Sequence, residues 1–159
     1  MASKRIPNEF RNHPIGFSEA INQGMFRAVG KYVVDGDTAD FLIDMGWYHY
    51  TYLPIRVKDL DTPELRGTSG KERELALKAK ARTQELIMEK PVLIKTSKAK
   101  VSFGRFVGDI YFIGKESDFI GIKPFVIDRN NEDSVFLFSL SDVLKSEGLI
   151  KQKKKKSIA

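Results

Sequence analysis

Apolar and polar residues alternate over several short stretches in the first half of the chain. The segment MFRAVGKYVV (25–34) is rich in β-branched and aromatic residues, and Asp35-Gly36, a dipeptide typical of tight hairpin turns, follows it. DTADFLID (37–44) and Tyr48–Lys58 continue the pattern, with Met45-Gly46 predicted as the turn between them. The pattern therefore predicts three consecutive antiparallel strands.

The hydrophobic period changes after residue 64. SGKERELALKAKARTQELIMEK (69–90) has a helical period, and we predict that Ser69 caps the helix, that Glu72 completes a capping box and that Lys90-Pro91 ends it. Four apolar residues fall on one face of this helix: Leu75, Ala79, Leu86 and Ile87. The sequence thus predicts one long helix that packs on the preceding strands.

Extended segments return in the second half. VLIKT (92–96) and FGRFVGDIYFI (103–113) read as strands, and VFLFSL (135–140) precedes a short helix that Ser141 should cap. Residues 114–134 look like an insertion with one short strand. This order does not alternate strand and helix, so it excludes a doubly wound parallel sheet and predicts an α+β, mainly β fold: a five-stranded antiparallel barrel of the OB-fold type with two to three packed helices.

The chain divides into three predicted parts. Residues 1–24 form a polar N-terminal extension with one short helical candidate at GFSEAINQG, for which packing is the simpler role and partner binding the alternative. Residues 25–150 form the barrel domain. Residues 151–159, KQKKKKSIA, form a basic tail that we interpret as disordered. This tail either keeps the protein soluble or contacts phosphates.

The composition of the chain limits which metal ligands and which binding partners are possible. The chain of 159 residues has no cysteine, which excludes disulfides and thiolate metal sites but leaves oxygen ligands open. Its net charge of +6 predicts a polyanionic partner, nucleic acid in particular. No apolar run approaches the length of a membrane span and no export signal is visible, so we expect a cytoplasmic monomer unless a leader has been removed.

Carboxylates collect near the ends of the predicted strands. The four are Asp35, Asp37, Asp61 and Glu64. Each one alone is explained by turn structure, but together they are typical of a site for a hard divalent cation, which binds carboxylate and carbonyl oxygens. Pro63 stiffens the loop that carries Asp61 and Glu64. It has no N–H, so the carbonyl of Thr62 is available as a further ligand.

Two arginines accompany these carboxylates. Alternation in the third strand turns Ile55 and Val57 one way and Arg56 the other, and Arg105 opens a later strand. Surface arginines are usually solvated, yet a guanidinium forms paired, charge-assisted hydrogen bonds with phosphate. A carboxylate-bound metal beside two arginines is suited to phosphoryl transfer.

Three motifs carry a family resemblance. V-D-G-D-T (34–38), R-x4-D-T-P-E (56–64) and F-G-R-F-V-G-D-I-Y (103–111) resemble the motifs of the staphylococcal nuclease (thermonuclease) family, in the family's order. The resemblance covers about Met25 to Leu149, apart from insertions near residues 45–53 and 114–134. The combination is specific, whereas each motif alone is not.

The resemblance implies a metal site and a general base. Asp37 and Asp61 match the family's metal ligands, with the Thr62 carbonyl as a third. Calcium is the usual ion, and Mg²⁺ or Mn²⁺ are alternatives. Glu64 matches the acidic residue that orients or deprotonates the attacking water.

The resemblance also implies a grip on the substrate. Arg56 and Arg105 match the two arginines that hold the scissile phosphate. We assign further substrate contacts to Lys100, Phe103, Lys151 and Lys153. At the position of Phe103 the family often has tyrosine, so a phenolic hydroxyl is absent here.

These residues predict a metal-dependent nuclease that cleaves DNA and/or RNA and leaves 3′-phosphate ends. The alternative is an inactive OB-type module that binds nucleic acid or protein, although degenerate copies of the family lose the acidic and arginine positions that this chain keeps. A third reading, a structural or inhibitory protein, predicts indifference to divalent metal. The aromatic run Trp47, Tyr48, Tyr50 and Tyr52 suits either base stacking or packing, and we favour packing.

Overall fold

A computed structural model of the chain describes residues 5–97, 106–129 and 133–152. Its helices are α1 (Asn8–Arg11), α2 (Phe17–Asn22), α3 (Gly70–Ile87) and α4 (Leu140–Ser146), with a 3-10 turn at Glu116–Asp118. Its strands are β1 (Phe26–Asp35), β2 (Thr38–Gly46), β3 (His49–Val57), β4 (Pro91–Thr96), β5 (Phe106–Ile113), β6 (Phe125–Ile127) and β7 (Val135–Ser139).

The strands form one sheet that closes into a barrel. Their order is β3-β2-β1-β4-β5-β7-β6, and β3 also pairs with β5. That closing pair is parallel, with Arg56 opposite Val107, whereas the other strand pairs among the described residues are antiparallel. The predicted five-stranded OB-type barrel is therefore confirmed, with one parallel seam and with β7 and β6 as an extension.

Side chains alternate between the barrel interior and the surface of β3. Ile55 and Val57 are buried, whereas Arg56 and Lys58 remain partly exposed. This confirms the alternation that the sequence predicts. It places Arg56 outside the core at the end of the barrel where β3 and β5 meet.

The long helix α3 differs in detail from the prediction. Its buried stripe consists of Ala76, Ala79, Thr83, Leu86 and Ile87. Ala79, Leu86 and Ile87 are buried as predicted, whereas Leu75 is only half-buried and Ala76 is the buried residue at that end of the stripe. Ser69 is the N-cap in extended conformation, but its side chain makes no capping hydrogen bond, so the predicted capping box with Glu72 is wrong. The helix ends before Lys90.

Two further local predictions are wrong. The β2–β3 turn lies at Trp47-Tyr48, both with φ of 57°, rather than at Met45-Gly46. The N-cap of α4 is Ser139, whose hydroxyl accepts the Asp142 N–H at 3.3 Å. Ser141, the predicted cap, instead donates its hydroxyl to the Asp59 carbonyl at 3.3 Å. The short strand predicted within residues 114–134 is confirmed as β6.

The N-terminal residues pack against the barrel. Phe10, Ile15 and Ala20 are buried, and α1, which the sequence pattern does not predict, brings the helix count in the described residues to four. Phe10 lies with its ring centroid 5.2 Å from that of Tyr50. None of the helices in the described ranges is long and apolar enough to cross a membrane.

The aromatic run in the β2–β3 hairpin is only partly packed. Tyr50 contacts Phe10, as the packing prediction expects. Trp47 is 94% exposed, and Tyr48 and Tyr52 are more than half exposed, so packing is wrong for these three residues. The chain therefore leaves several aromatic rings open to solvent beside the barrel.

Candidate phosphate and metal site

The turn between β1 and β2 is fixed against helix α3. A Cβ atom at Gly36 would lie 2.8 Å from the Ala79 Cβ and 3.0 Å from side-chain atoms of Thr62. Thr83 donates its hydroxyl to the Gly36 carbonyl at 2.7 Å. Gly36 does not have a positive φ. The glycine thus permits close approach to α3 and does not supply the left-handed turn that Asp-Gly suggests.

Asp37 is the second residue of this turn, between Gly36 and the start of β2, and it is 2% exposed. The Thr62 N–H donates to its Oδ2 at 2.9 Å, and the Thr38 hydroxyl donates to its Oδ1 at 2.9 Å. Burial raises the pKa of the Asp37 carboxyl, while the Thr62 N–H, the charge of Arg56 and the Thr38 hydroxyl oppose this rise. Asp37 is therefore a buried carboxyl group whose two oxygens have fixed directions.

Arg56 joins the turn to the loop after β3. Its Nη2 lies 3.2 Å from the Asp37 Oδ2 and 3.3 Å from the Asp61 Oδ1. The same nitrogen donates to the Leu60 carbonyl at 3.2 Å. The Arg56 side chain is 27% exposed, so solvent reaches this cluster. Three residues that sequence reasoning assigns to one site thus lie together in the structure.

The loop after β3 carries the remaining acidic candidate. Leu65 donates its N–H to the Asp35 Oδ1 at 3.2 Å, which ties the loop to the β1–β2 turn. Glu64, directly before it, is exposed. Its carboxylate makes no hydrogen bond or ion pair with the described residues. The structure therefore places Glu64 at the solvent edge of the loop, apart from the Arg56 contacts.

The donor set fits a hard cation in chemical type. Asp37 and Asp61 offer carboxylate oxygens that both lie within 3.3 Å of Arg56 Nη2, and Thr62, whose N–H binds Asp37, also carries a carbonyl oxygen. The Thr62 hydroxyl is buried without a hydrogen-bond partner among the described residues. No group of three or more His, Cys, Asp or Glu side chains suited to a metal occurs in those ranges, so carbonyls and water must complete the set.

An open cavity of about 380 Å³ extends from this cluster. Its lining includes Arg56, Lys58, Asp61 and Val107. Lys151, a predicted substrate contact, lies beside the loop because its N–H donates to the Asp61 carbonyl at 2.7 Å. Its side chain is exposed.

Several predicted site residues lie outside the described residues. They are Lys100, Phe103, Arg105 and Lys153. Conversely, Thr83 supports the site but is absent from the sequence prediction. Its signal is a polar residue on the otherwise apolar stripe of α3. Such a residue requires a hydrogen-bond partner when buried, and the Gly36 carbonyl is that partner.

Searches of the sequence against protein-family models and against curated proteins find no match. The fold and the cluster define the chain as an OB-type barrel with two carboxylates and an arginine at one end.

Proposed function

We propose that the protein is a metal-dependent nuclease that hydrolyses phosphodiester bonds of DNA and/or RNA. The observation that carries the proposal is the contact of one Arg56 nitrogen with both Asp37 and Asp61. A pair of cation ligands beside a phosphate-binding group is what phosphoryl transfer requires. The net charge of +6 favours a nucleic acid substrate.

Asp37, Asp61 and the Thr62 carbonyl would hold the cation, which is Ca²⁺ by the motif resemblance, with Mg²⁺ or Mn²⁺ as alternatives. Such an ion supplies Lewis-acid polarisation of a phosphate oxygen and lowers the pKa of bound water. The fixed orientation of the Asp37 oxygens supports this role, since the Thr62 N–H and the Thr38 hydroxyl hold them. A ligand that is already oriented loses little freedom on binding.

Arg56 binds the scissile phosphate. Its contacts with Asp37, Leu60 and Asp61 all use Nη2, so the other donors of the guanidinium are available to phosphate oxygens. Its partial exposure lets a substrate reach them. The two carboxylates hold the guanidinium in place before the substrate arrives.

Glu64 accepts the proton of the attacking water. As the water oxygen bonds to phosphorus, the P–O5′ bond breaks, and the leaving 5′-oxygen takes a proton from solvent. The products are a 3′-phosphate and a 5′-hydroxyl. Glu64 suits this role because it is exposed and no described ion pair engages its carboxylate.

Cleavage of labelled single-stranded DNA and of a matching RNA tests the proposal, with Ca²⁺, Mg²⁺, Mn²⁺ or EDTA present. We expect metal-dependent cleavage, and Glu64→Gln should lower the rate on the order of a hundredfold to a thousandfold. Glu74→Gln is the control, because Glu74 is an exposed glutamate on α3. If wild-type protein binds both substrates and cuts neither with any ion, the protein is a binding module instead.

A further inference from the structure

The outward face of β3 runs unbroken from the candidate site towards the β2–β3 hairpin. Its register with β2 is regular from Thr38 opposite Arg56 to Asp44 opposite Tyr50. Side chains on a strand alternate, so one face carries Tyr50, Tyr52, Pro54 and Arg56. Tyr52 lies four residues from Arg56, which is about 13 Å along a strand and longer than one nucleotide step.

A second tyrosine stands beside this row. Tyr32 of β1 pairs with Asp40 of β2, which pairs with Pro54 of β3. Tyr32 is 58% exposed and Tyr52 is 60% exposed. We name the surface formed by Tyr32, Tyr52 and Pro54 the tyrosine face.

The chain covers the other half of the same sheet surface. Phe10 packs with Val29 and Leu42, and Tyr50 joins this cluster from β3. One tyrosine of the row is therefore used for packing, whereas the one nearer Arg56 is left open. An exposed aromatic pair that continues from a candidate phosphate site indicates ligand contact rather than core structure.

We propose that the tyrosine face stacks the bases of a single-stranded nucleic acid whose phosphate is held at Arg56. This inference rests on the proposed function and specifies its substrate as unpaired strand. Aromatic rings bind unpaired bases with little sequence preference, and OB-type barrels commonly use the surface of their second and third strands for this. A duplex keeps its bases stacked on each other, so their faces are not available to the two rings.

The charges on this surface agree with phosphate contact at one end and base contact on the tyrosine rings. Lys31 lies 2.8 Å from Glu89 and 3.8 Å from Glu9, and the hydrogen bond with Glu89 is the main cause that raises its pKa. Asp40 lies between the two tyrosines' strands. Phosphate contact is therefore expected at the Arg56 end, where Lys58 also lines the cavity, and base contact on the rings.

Binding of a fluorescein-labelled oligothymidylate in EDTA, followed by anisotropy, tests this inference without cleavage. Tyr52→Ala and Tyr32→Ala should each weaken binding by about 5-fold to 100-fold. Tyr52→Phe keeps the ring and should bind as wild type, whereas Tyr52→Leu should lose most of the affinity. Binding of a duplex of the same length should be unchanged in all four variants.

Ile120→Ala is the control for loss of an exposed apolar side chain. Ile120 is 89% exposed and follows the end of β5 opposite to the one that pairs with β3. The inference is overturned if wild type does not bind the oligonucleotide, if Tyr52→Ala binds it as wild type does, or if Tyr52→Ala instead alters self-association in sedimentation. If Tyr52→Ala weakens binding but the wild-type protein cleaves no substrate, the tyrosine face is supported and the proposed nuclease function is rejected. If the wild-type protein cleaves but Tyr52→Ala binds as wild type does, the nuclease function is supported and the tyrosine face is rejected.

Discussion

Two clusters of acidic residues flank the end of β3, and they differ in the contacts that their carboxylates make. On one side, Asp37 and Asp61 both contact Arg56. On the other side, Asp59, Asp109 and Asp142 line a separate cavity of about 370 Å³ together with three lysines, Lys58, Lys123 and Lys145. The two cavities share Lys58 and Asp59 at their border.

The most buried carboxyl group of each region shows the difference. Burial raises the pKa of both Asp37 and Asp109. For Asp37, the hydrogen bond from the Thr62 N–H, the charge of Arg56 and the hydrogen bond from the Thr38 hydroxyl oppose the rise, while the charge of Asp35 adds to it. For Asp109, only the charges of lysines oppose it, and the neighbouring carboxylates Asp59 and Asp142 add to it.

Directed hydrogen bonds fix where the oxygens of Asp37 point, whereas a field of nearby charges does not orient those of Asp109. A cation site depends on oriented ligands. Both regions have several carboxylates and basic residues, so composition alone does not separate them. This difference favours the Arg56 side as the place of the proposed phosphate chemistry, and three pairs of substitutions test it.

The largest expected effect comes from two aspartates on one loop. Asp61→Asn removes a carboxylate beside Arg56 and should lower the cleavage rate on the order of a hundredfold. Asp59→Asn removes another exposed carboxylate, which lines both cavities but is not among the ion-pair partners of Arg56 in the described residues, and it should cleave nearly as wild type does. Initial rates at saturating metal measure both.

Asp59 is a suitable control for a structural reason. Its φ is 58°, a left-handed conformation that asparagine adopts readily, so the substitution should not disturb the loop. Equal losses of rate in the two variants would contradict the separation of the two regions. Titration of each variant with a luminescent lanthanide as a calcium probe should show weaker binding only for Asp61→Asn.

Substitution of the two basic residues at the end of β3, Arg56 and Lys58, should have a smaller effect, which is expected in stability. Arg56→Gln leaves the buried Asp37 carboxylate without its charged partner and should lower the free energy of unfolding by about 1–2 kcal/mol at neutral pH. Lys58→Gln removes only an undirected charge near Asp109 and should change it by less than about 0.5 kcal/mol. Urea denaturation measures both.

The loss of stability in Arg56→Gln should depend on pH, because Arg56 interacts with the ionised form of Asp37. The pKa of Asp37 is raised in the folded state above 3.8, so its contribution to stability is full below that value and is lost as pH rises through the folded pKa. Arg56 opposes this loss only while Asp37 is ionised. The deficit of Arg56→Gln should therefore be largest at neutral pH and shrink as pH falls. A deficit that stays constant would show that Arg56 acts by packing.

The barrel could be predicted from the sequence because its strands carry clear alternation, as Ile55 and Val57 against Arg56 illustrate. The hairpin tip could not, because it places Trp47 and Tyr48 at positive φ, which their side chains disfavour. A sequence rule selects Gly46 instead. The cap of α4 has a similar cause: two serines lie within three positions, and tertiary contact with Asp59 decides which one caps.

The core of the site could be predicted because Asp37, Arg56 and Asp61 belong to motifs with fixed spacing. Its supports could not. The bond from Thr83 to Gly36 spans 47 positions, and no local pattern announces such a pair. The exposure of Tyr52 likewise depends on how far the N-terminal residues cover the sheet, since Phe10 reaches Tyr50.

The smallest expected effect separates Asp37 and Asp109, the two carboxyl groups whose pKa burial raises. Asp109→Asn removes a group whose ionised form burial disfavours, and it should raise the free energy of unfolding at neutral pH by less than about 0.5 kcal/mol. The raised pKa makes ionised Asp109 unfavourable above that pKa, so the gain should vanish below 3.8, where wild type is protonated in both states. Asp37→Asn should give no such gain, because an amide nitrogen would replace an oxygen that accepts the Thr62 N–H or the Thr38 hydroxyl. Urea denaturation of both variants across this pH range measures the difference, and a matching gain in both would mean that the directed bonds of Asp37 contribute nothing.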